Sequence, residues 1–146
     1  MSKTEKWWSY PCEAENGLTI ITSGHDGLEK QFSSGKYIYR VDVAWEYSAL
    51  SDGMPSAESA EILEKVTDAF NNALAEDKIA VMTGIYTGDG RRDWIFYTKN
   101  LKVFNSFFNR ALKDLPLLPL RIEAEEDPDW EEYRHLRETT YIPEEE

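Results

Sequence analysis

Two histidines, one cysteine and one pair of adjacent arginines are where chemistry would first be sought in this 146-residue chain. His25 sits in Ser23-Gly24-His25-Asp26-Gly27, which reads as a turn, and His135 falls between Arg134 and Arg137 on an expected last helix. Neither has the Cys or His spacing of a structural zinc site, and the helical HExxH pattern is missing. Cys12 stands outside any motif that would mark a nucleophile and reads as a small, half-buried residue of the first strand. There is no GxSxG elbow. Thr87-Gly88-Asp89-Gly90-Arg91 lacks the continuation of a phosphate-binding loop and joins two strands instead of opening a helix. The expectation is no catalytic residue, no cofactor and no metal ligand.

What remains are surfaces. Arg91 and Arg92 are flanked by Asp89 and Asp93, with Asp52 in a loop earlier in the chain. A paired guanidinium cluster can grip a carboxylate or phosphate, but the same residues also describe a salt-bridged hairpin end. The run Glu123, Glu125, Glu126, Asp127, Asp129, Glu131 and Glu132 lacks the spacing of a calcium loop. It fits a solvated face whose negative charge suits a helix N-terminus. Trp130 lies inside that run, and Trp7, Trp8 and Tyr10 lie near the start of the chain. These aromatics either cover an open sheet face or form an exposed patch, and cover is the expected role because large exposed apolar patches are uncommon. The candidate binding surface is therefore Asp52, Arg91, Arg92, Asp93, Glu125, Glu126, Asp129, Trp130, Glu131 and Glu132.

Charge narrows the partners. Sixteen Lys and Arg stand against 28 Asp and Glu, a formal net charge of −12. A field of that sign opposes phosphate backbones, whose binding needs Lys and Arg to displace condensed counterions. It equally opposes anionic membranes and steers basic proteins inward. The first residues carry no apolar run of the signal-peptide kind, and no stretch approaches a membrane span, so the expected location is the cytoplasm. A single cysteine permits no intrachain disulfide.

The elements that must position these residues follow from periodicity. Between Lys36 and Tyr47, bulky Tyr37, Tyr39, Val41, Val43, Trp45 and Tyr47 alternate with Ile38, Arg40, Asp42, Ala44 and Glu46, which predicts a strand buried on one face. Ser56 can cap a helix over 57–76, striped by Ile62, Leu63, Val66, Phe70 and Leu74. Strands at Ile79–Tyr86 and Asp93–Thr98 form a hairpin around Gly88-Asp89-Gly90. Asn100 caps a helix with Phe104, Phe107 and Phe108 on its stripe, ended at Leu115-Pro116. Leu117–Ala124 is a further strand, placed at an edge by Pro119. Ahead of this core, Glu5–Glu13 and Leu18–Ser23 form an added hairpin around Asn16-Gly17. After it, Asp127 caps a last helix with Pro128 at its first position, and Pro143–Glu146 is a frayed tail. The order β-α-β-β-α-β over 36–124 predicts a single α+β domain of the ferredoxin-like, split β-α-β kind, with an N-terminal hairpin and a C-terminal helix added.

Several of these pieces, taken in order, resemble a known family. Trp7-Trp8-Ser9-Tyr10, Val43-Ala44-Trp45, Gly53-Met54-Pro55, the Gly84–Tyr97 hairpin and Asp127-Pro128-Asp129-Trp130-Glu131-Glu132-Tyr133 together resemble the bacterial domain of unknown function six-nine-five. That family brings no catalytic residues to carry over. The layout is also similar, more distantly, to the regulator of ribonuclease activity B family: small acidic proteins that bind and restrain a ribonuclease. That second resemblance implies a protein-binding role.

The reading that follows is a non-enzymatic binding or regulatory module. Its acidic surface engages a basic protein, such as a nuclease it inhibits. The alternative is a small enzyme or anionic-ligand-binding domain with a pocket near Arg91 and Arg92, and self-association through the open sheet is a third course. Concavity discriminates among them: an enzyme needs a deep pocket with converging polar groups, a binding module a broad face.

Overall fold

In a computed structural model, which describes residues 6–141, six strands form one antiparallel sheet. In chain order these are β1 (Trp7–Glu13), β2 (Thr19–His25), β3 (Tyr39–Glu46), β4 (Ala80–Gly88), β5 (Arg91–Thr98) and β6 (Arg121–Glu126). Across the sheet they lie β1-β2-β4-β5-β3-β6. The helices are α1 (Glu29–Ser33), α2 (Ala57–Glu76), α3 (Leu101–Ala111) and α4 (Glu131–Thr140). The protein is therefore of the α+β class.

Strand alternation sorts the sheet into two faces. Val41, Val43 and Trp45 of β3, Trp94 and Phe96 of β5 and Met82 of β4 point one way. There they meet Leu63, Val66 and Phe70 of α2 and Phe104, Phe107 and Phe108 of α3 in one core, so both long helices pack on the same face. Phe70 makes edge contacts with the Trp94 and Phe96 rings at centroid distances of 5.6 and 5.1 Å. Each helix starts on the capping residue that the sequence indicates: Ser56 Oγ accepts from the Ser59 amide, and Asn100 Oδ1 accepts from the Val103 amide.

The opposite face is only half covered. Trp8, Val81, Ile95, Tyr97, Trp130, Tyr133 and Leu136 form a second buried cluster under α4. Gly24 and Gly84 make room for it. A β-carbon on Gly24 would stand 2.1 Å from the Trp8 ring, and one on Gly84 would stand 3.0 Å from Leu136. Trp8 and Trp130 are thus cover for the sheet, and Trp7 stacks on His25 at 4.7 Å, whereas Tyr10 stays exposed.

Several expectations need correction at their boundaries. The last strand is Arg121–Glu126, not Leu117–Ala124; it does lie at a sheet edge, and Leu117 is fully exposed. His25 closes β2 instead of sitting in a turn; it is buried, with Nδ1 2.9 Å from the Met82 carbonyl oxygen. The short helix α1 has no period long enough to read in sequence. Pro128 is not helical: α4 begins at Glu131, after Trp130 in the left-handed region at φ 54°. Trp130 is held there by stacking on Tyr97 at 4.5 Å and by donating from Nε1 to the Tyr37 carbonyl. Those buried contacts outweigh the cost of about 1–2 kcal/mol that a left-handed non-glycine residue carries. Glu5 and the tail residues Pro143–Glu146 lie outside the described residues.

Candidate functional site

The uncovered half of the α4 face is where the sheet meets solvent with charge. Alternation from the core residues of β3 leaves Arg40, Asp42, Ala44 and Glu46 on this side. Their partners across the ladders are Tyr97, Ile95, Asp93 and Arg91 on β5, and Glu125, Glu123 and Arg121 on β6. Tyr86 of β4 lies opposite Asp93. Two adjoining hollows open here. The larger, of about 660 Å³, is lined by Ile20, Glu46, Tyr86, Arg91, Asp93 and the Gly88–Gly90 turn. The smaller, of about 170 Å³, shares Arg91 and Asp93 and adds Asp42, Ala44, Arg121 and Glu123.

The end wall is built from three turns. Asp89 and Gly90 both take positive φ, 54° and 81°, as a two-residue hairpin with the right-handed twist requires. Gly90 N–H donates to the Gly53 carbonyl, Tyr47 O–H donates to that same carbonyl, and Asn16 Nδ2 donates to Asp89. A β-carbon on Gly53 would stand 2.9 Å from the Asp89 amide nitrogen, so only glycine lets the 50–55 loop close on the hairpin. Asp52 is spent within that loop, its Oδ1 accepting from the Met54 amide.

Every arginine on this face is already engaged. Arg91 donates from Nε and Nη2 to the two carboxylate oxygens of Asp93, at 2.8 and 3.0 Å. Arg121 faces Glu46 at 3.8 Å. Arg40 reaches Asp42 at 3.1 Å, Glu125 at 3.4 Å and Asp127 at 3.6 Å. Burial pushes the Asp42 carboxyl above the usual carboxylate range even beside Arg40.

A buried polar network joins this face to the foot of α4. Asp127 accepts from the Tyr97 hydroxyl at 2.7 Å and from the amides of Glu131 and Glu132 at 2.9 and 3.2 Å. It therefore caps α4 from outside, three residues ahead of the cap position itself. Burial alone would raise its pKa; those hydrogen bonds and the Arg40 charge outweigh burial and hold it below the ordinary aspartate value. Glu132 behaves in the opposite way. One of its oxygens accepts a hydrogen bond from Tyr86 O–H, the other is buried without a partner, and burial raises its pKa. Burial and the facing Glu132 also push the Tyr86 hydroxyl well up.

The ten candidate residues are thus dispersed. Arg91, Asp93 and Glu125 share the open face, whereas Glu126 points to the other side of β6, opposite Tyr39. Asp129 and Glu131 are exposed on the approach to α4, Trp130 is buried, and Glu132 is tucked against Tyr86. Arg92 lies on the helix side, donating to Thr87 at 2.7 Å and Thr67 at 3.3 Å, with its guanidinium 5.9 Å from the centre of the Trp94 ring. The two arginines cannot close on one ligand. Sequence reasoning missed Arg40 and Tyr86. Arg40 had a signal, a cation in the polar register of the clearest strand; Tyr86 reads simply as a strand aromatic.

Among the described residues no three His, Cys, Asp or Glu side chains converge as metal ligands, and no helix is long and apolar enough to cross a membrane. No curated protein and no solved structure matches the chain. Residues 5–136 do match a family description, and on that match, which spans most of its length, the chain belongs to the DUF695 family of unknown function.

Proposed function

We propose that this chain is a non-enzymatic protein-binding module whose half-open sheet face engages a basic partner. The observation that carries the reading is the state of the arginines on that face: Arg40, Arg91 and Arg121 each already face a carboxylate. An incoming anion would have to displace Asp93, Asp42 or Glu46, whereas an incoming cation meets exposed acidic side chains directly. The net charge of −12 adds long-range steering of the same sign. A protein that handles nucleic acid suits this surface, because its own substrate is a polyanion and its working face is basic. Inhibition of a nuclease by masking is one form the module's activity would take.

We assign the scaffold to the split β-α-β, ferredoxin-like pattern. The lateral order β4-β5-β3-β6 and the placement of α2 and α3 on one face support that assignment. The hairpin β1-β2 extends the sheet beyond β4, and α4 covers half of the face that the two long helices leave open.

The test is affinity capture at low and high salt with two variants. One reverses the exposed Glu46, Glu123 and Glu125 of the open face to Lys; the other changes Arg91 and Arg121 of that face to Ala. Glu132, in the first turn of α4, is left intact because it is tucked against Tyr86. Acidic reversal should slow association and flatten the salt dependence, since exposed charges act mainly on the on-rate. Binding indifferent to the reversal but lost with the arginines would replace this reading with an anion site.

A further inference from the structure

We infer that the two adjoining hollows form one trough that takes an extended basic segment of the partner, lying across the strands. This inference rests on the acidic-module reading and adds to it a location and an orientation. The trough crosses five strands, from Ile20 on β2 through Tyr86, Asp93 and Glu46 to Glu123 on β6. At about 4.8 Å between neighbouring strands its length is roughly 19 Å, which an extended chain rising about 3.3 Å per residue spans with roughly six residues. α4 packs mainly on the neighbouring cluster around Trp8, Ile95 and Tyr97 and meets the trough only where Glu132 accepts from Tyr86.

Charge selects the occupant. The lining holds Glu46, Asp89, Asp93, Asp42 and Glu123 against the guanidinium groups of Arg91 and Arg121. Arg91 is locked on Asp93, and Arg121 sits loosely, 3.8 Å from Glu46 with both side chains largely exposed. A guanidinium or ammonium brought in by the partner can therefore replace Arg121 on Glu46, and a second can reach Glu123, without breaking a buried ion pair. Tyr86 and Ile20 give the larger hollow an apolar flank for the methylene stem of such a side chain. Ala44 and Gly88 keep the floor low.

The test uses a dye-labelled hexaarginine peptide, read by fluorescence anisotropy at low salt, with hexaglutamate and spermine as comparison probes. Glu46→Gln with Glu123→Gln should weaken hexaarginine roughly five- to tenfold, the scale of two exposed charge contacts. Glu61→Gln with Glu64→Gln removes the same charge from the exposed side of α2, beyond the far face of the sheet, and should leave binding unchanged. Amide shifts in the nitrogen-15 spectrum should concentrate at Ala44, Tyr86 and Asp93. Equal losses in both double variants would overturn the trough and leave the acidic-module reading standing. Spermine binding as tightly as hexaarginine at the same residues would overturn the peptide as occupant. Hexaarginine binding no more tightly than hexaglutamate would overturn the trough and the acidic-module reading together.

Discussion

Arg91 and Arg92 are neighbours in the chain and lie on opposite faces of the sheet, the first locked on Asp93 and the second packed over Trp94 between Thr67 and Thr87. Strand alternation alone separates them. Burial lowers the proton affinity of Arg92, and its hydrogen bonds go to hydroxyls, not carboxylates. Arg92→Ala should therefore cost about 1–2 kcal/mol through lost packing of the stem and the lost partner of the buried Thr87 hydroxyl, Thr67 keeping its bond from Trp94. Arg91→Ala, losing an exposed ion pair, should stay within about 1 kcal/mol of the parent. Urea denaturation measures both; equal effects would mean that the two side chains are not in the different environments described.

Phe70 and Phe104 sit at the centre of the main core, 0% and 3% exposed, each in edge or tilted contact with other phenylalanine rings. Replacing either by Ala should lower folding stability by about 3–5 kcal/mol, since the rigid β3–β5 floor beneath them limits collapse into the void. A loss below about 1 kcal/mol in chemical denaturation would contradict their placement.

Asp127 carries more than a cap. Its two oxygens serve the amides of Glu131 and Glu132, the buried Tyr97 hydroxyl and the Arg40 guanidinium. Asp127→Ala should cost about 2–4 kcal/mol, combining a lost cap of about 1 kcal/mol with a stranded buried hydroxyl of about 1–3 kcal/mol. Asp127→Asn keeps an acceptor for the cap and should recover part of that loss. The same denaturation curves decide it: an Asn variant as damaged as the Ala variant would place the weight on the charge toward Arg40 instead.

What the chain shows before folding is whatever its local period and local chemistry determine. The alternation of β3 and the stripe and cap of α2 are legible because each residue's role depends on neighbours within a few positions. The open face is half legible: Arg40, Asp42 and Glu46 are visibly the polar register of β3, but their meeting with Glu125, Glu123 and Arg91 depends on pairing with β6 and β5. The start of α4 could not be read. Asp127-Pro128 is an ordinary helix opening by propensity, yet Trp130 is fixed in a left-handed backbone by rings from Tyr97 and Phe32 that no local rule brings near. The acidic run misleads for the same reason, since Glu131 faces water while Glu132 turns inward to Tyr86.

Glu132 makes stability depend on pH in a direction opposite to most surface carboxylates. It is half-buried with one oxygen fully enclosed, bonded through the other to Tyr86, and faced by Asp42 and Asp127 as well as by Arg40. Burial and the two carboxylates raise its pKa; the Tyr86 hydrogen bond and the Arg40 charge oppose that rise without overcoming it. An acid bound more tightly to its proton when folded stabilises the fold while protonated, and that contribution disappears as pH rises through the raised value. Its full effect is therefore present below the unfolded carboxyl value of about 4.3 and is lost on the way to neutrality. Asp127 runs the other way: its hydrogen-bonded anion contributes above the ordinary aspartate value and fails as pH falls. Glu132→Gln keeps the shape and removes the titration, whereas Asp127 is common to both proteins and largely cancels in the difference. Unfolding free energies of the parent and Glu132→Gln, measured by urea from pH 4 to pH 8, should converge at the acid end. Above it the variant should become progressively the more stable of the two. If the two profiles run parallel, or the parent gains on the variant as pH rises, then Glu132 is an ionised partner of Arg40 and not a buried acid.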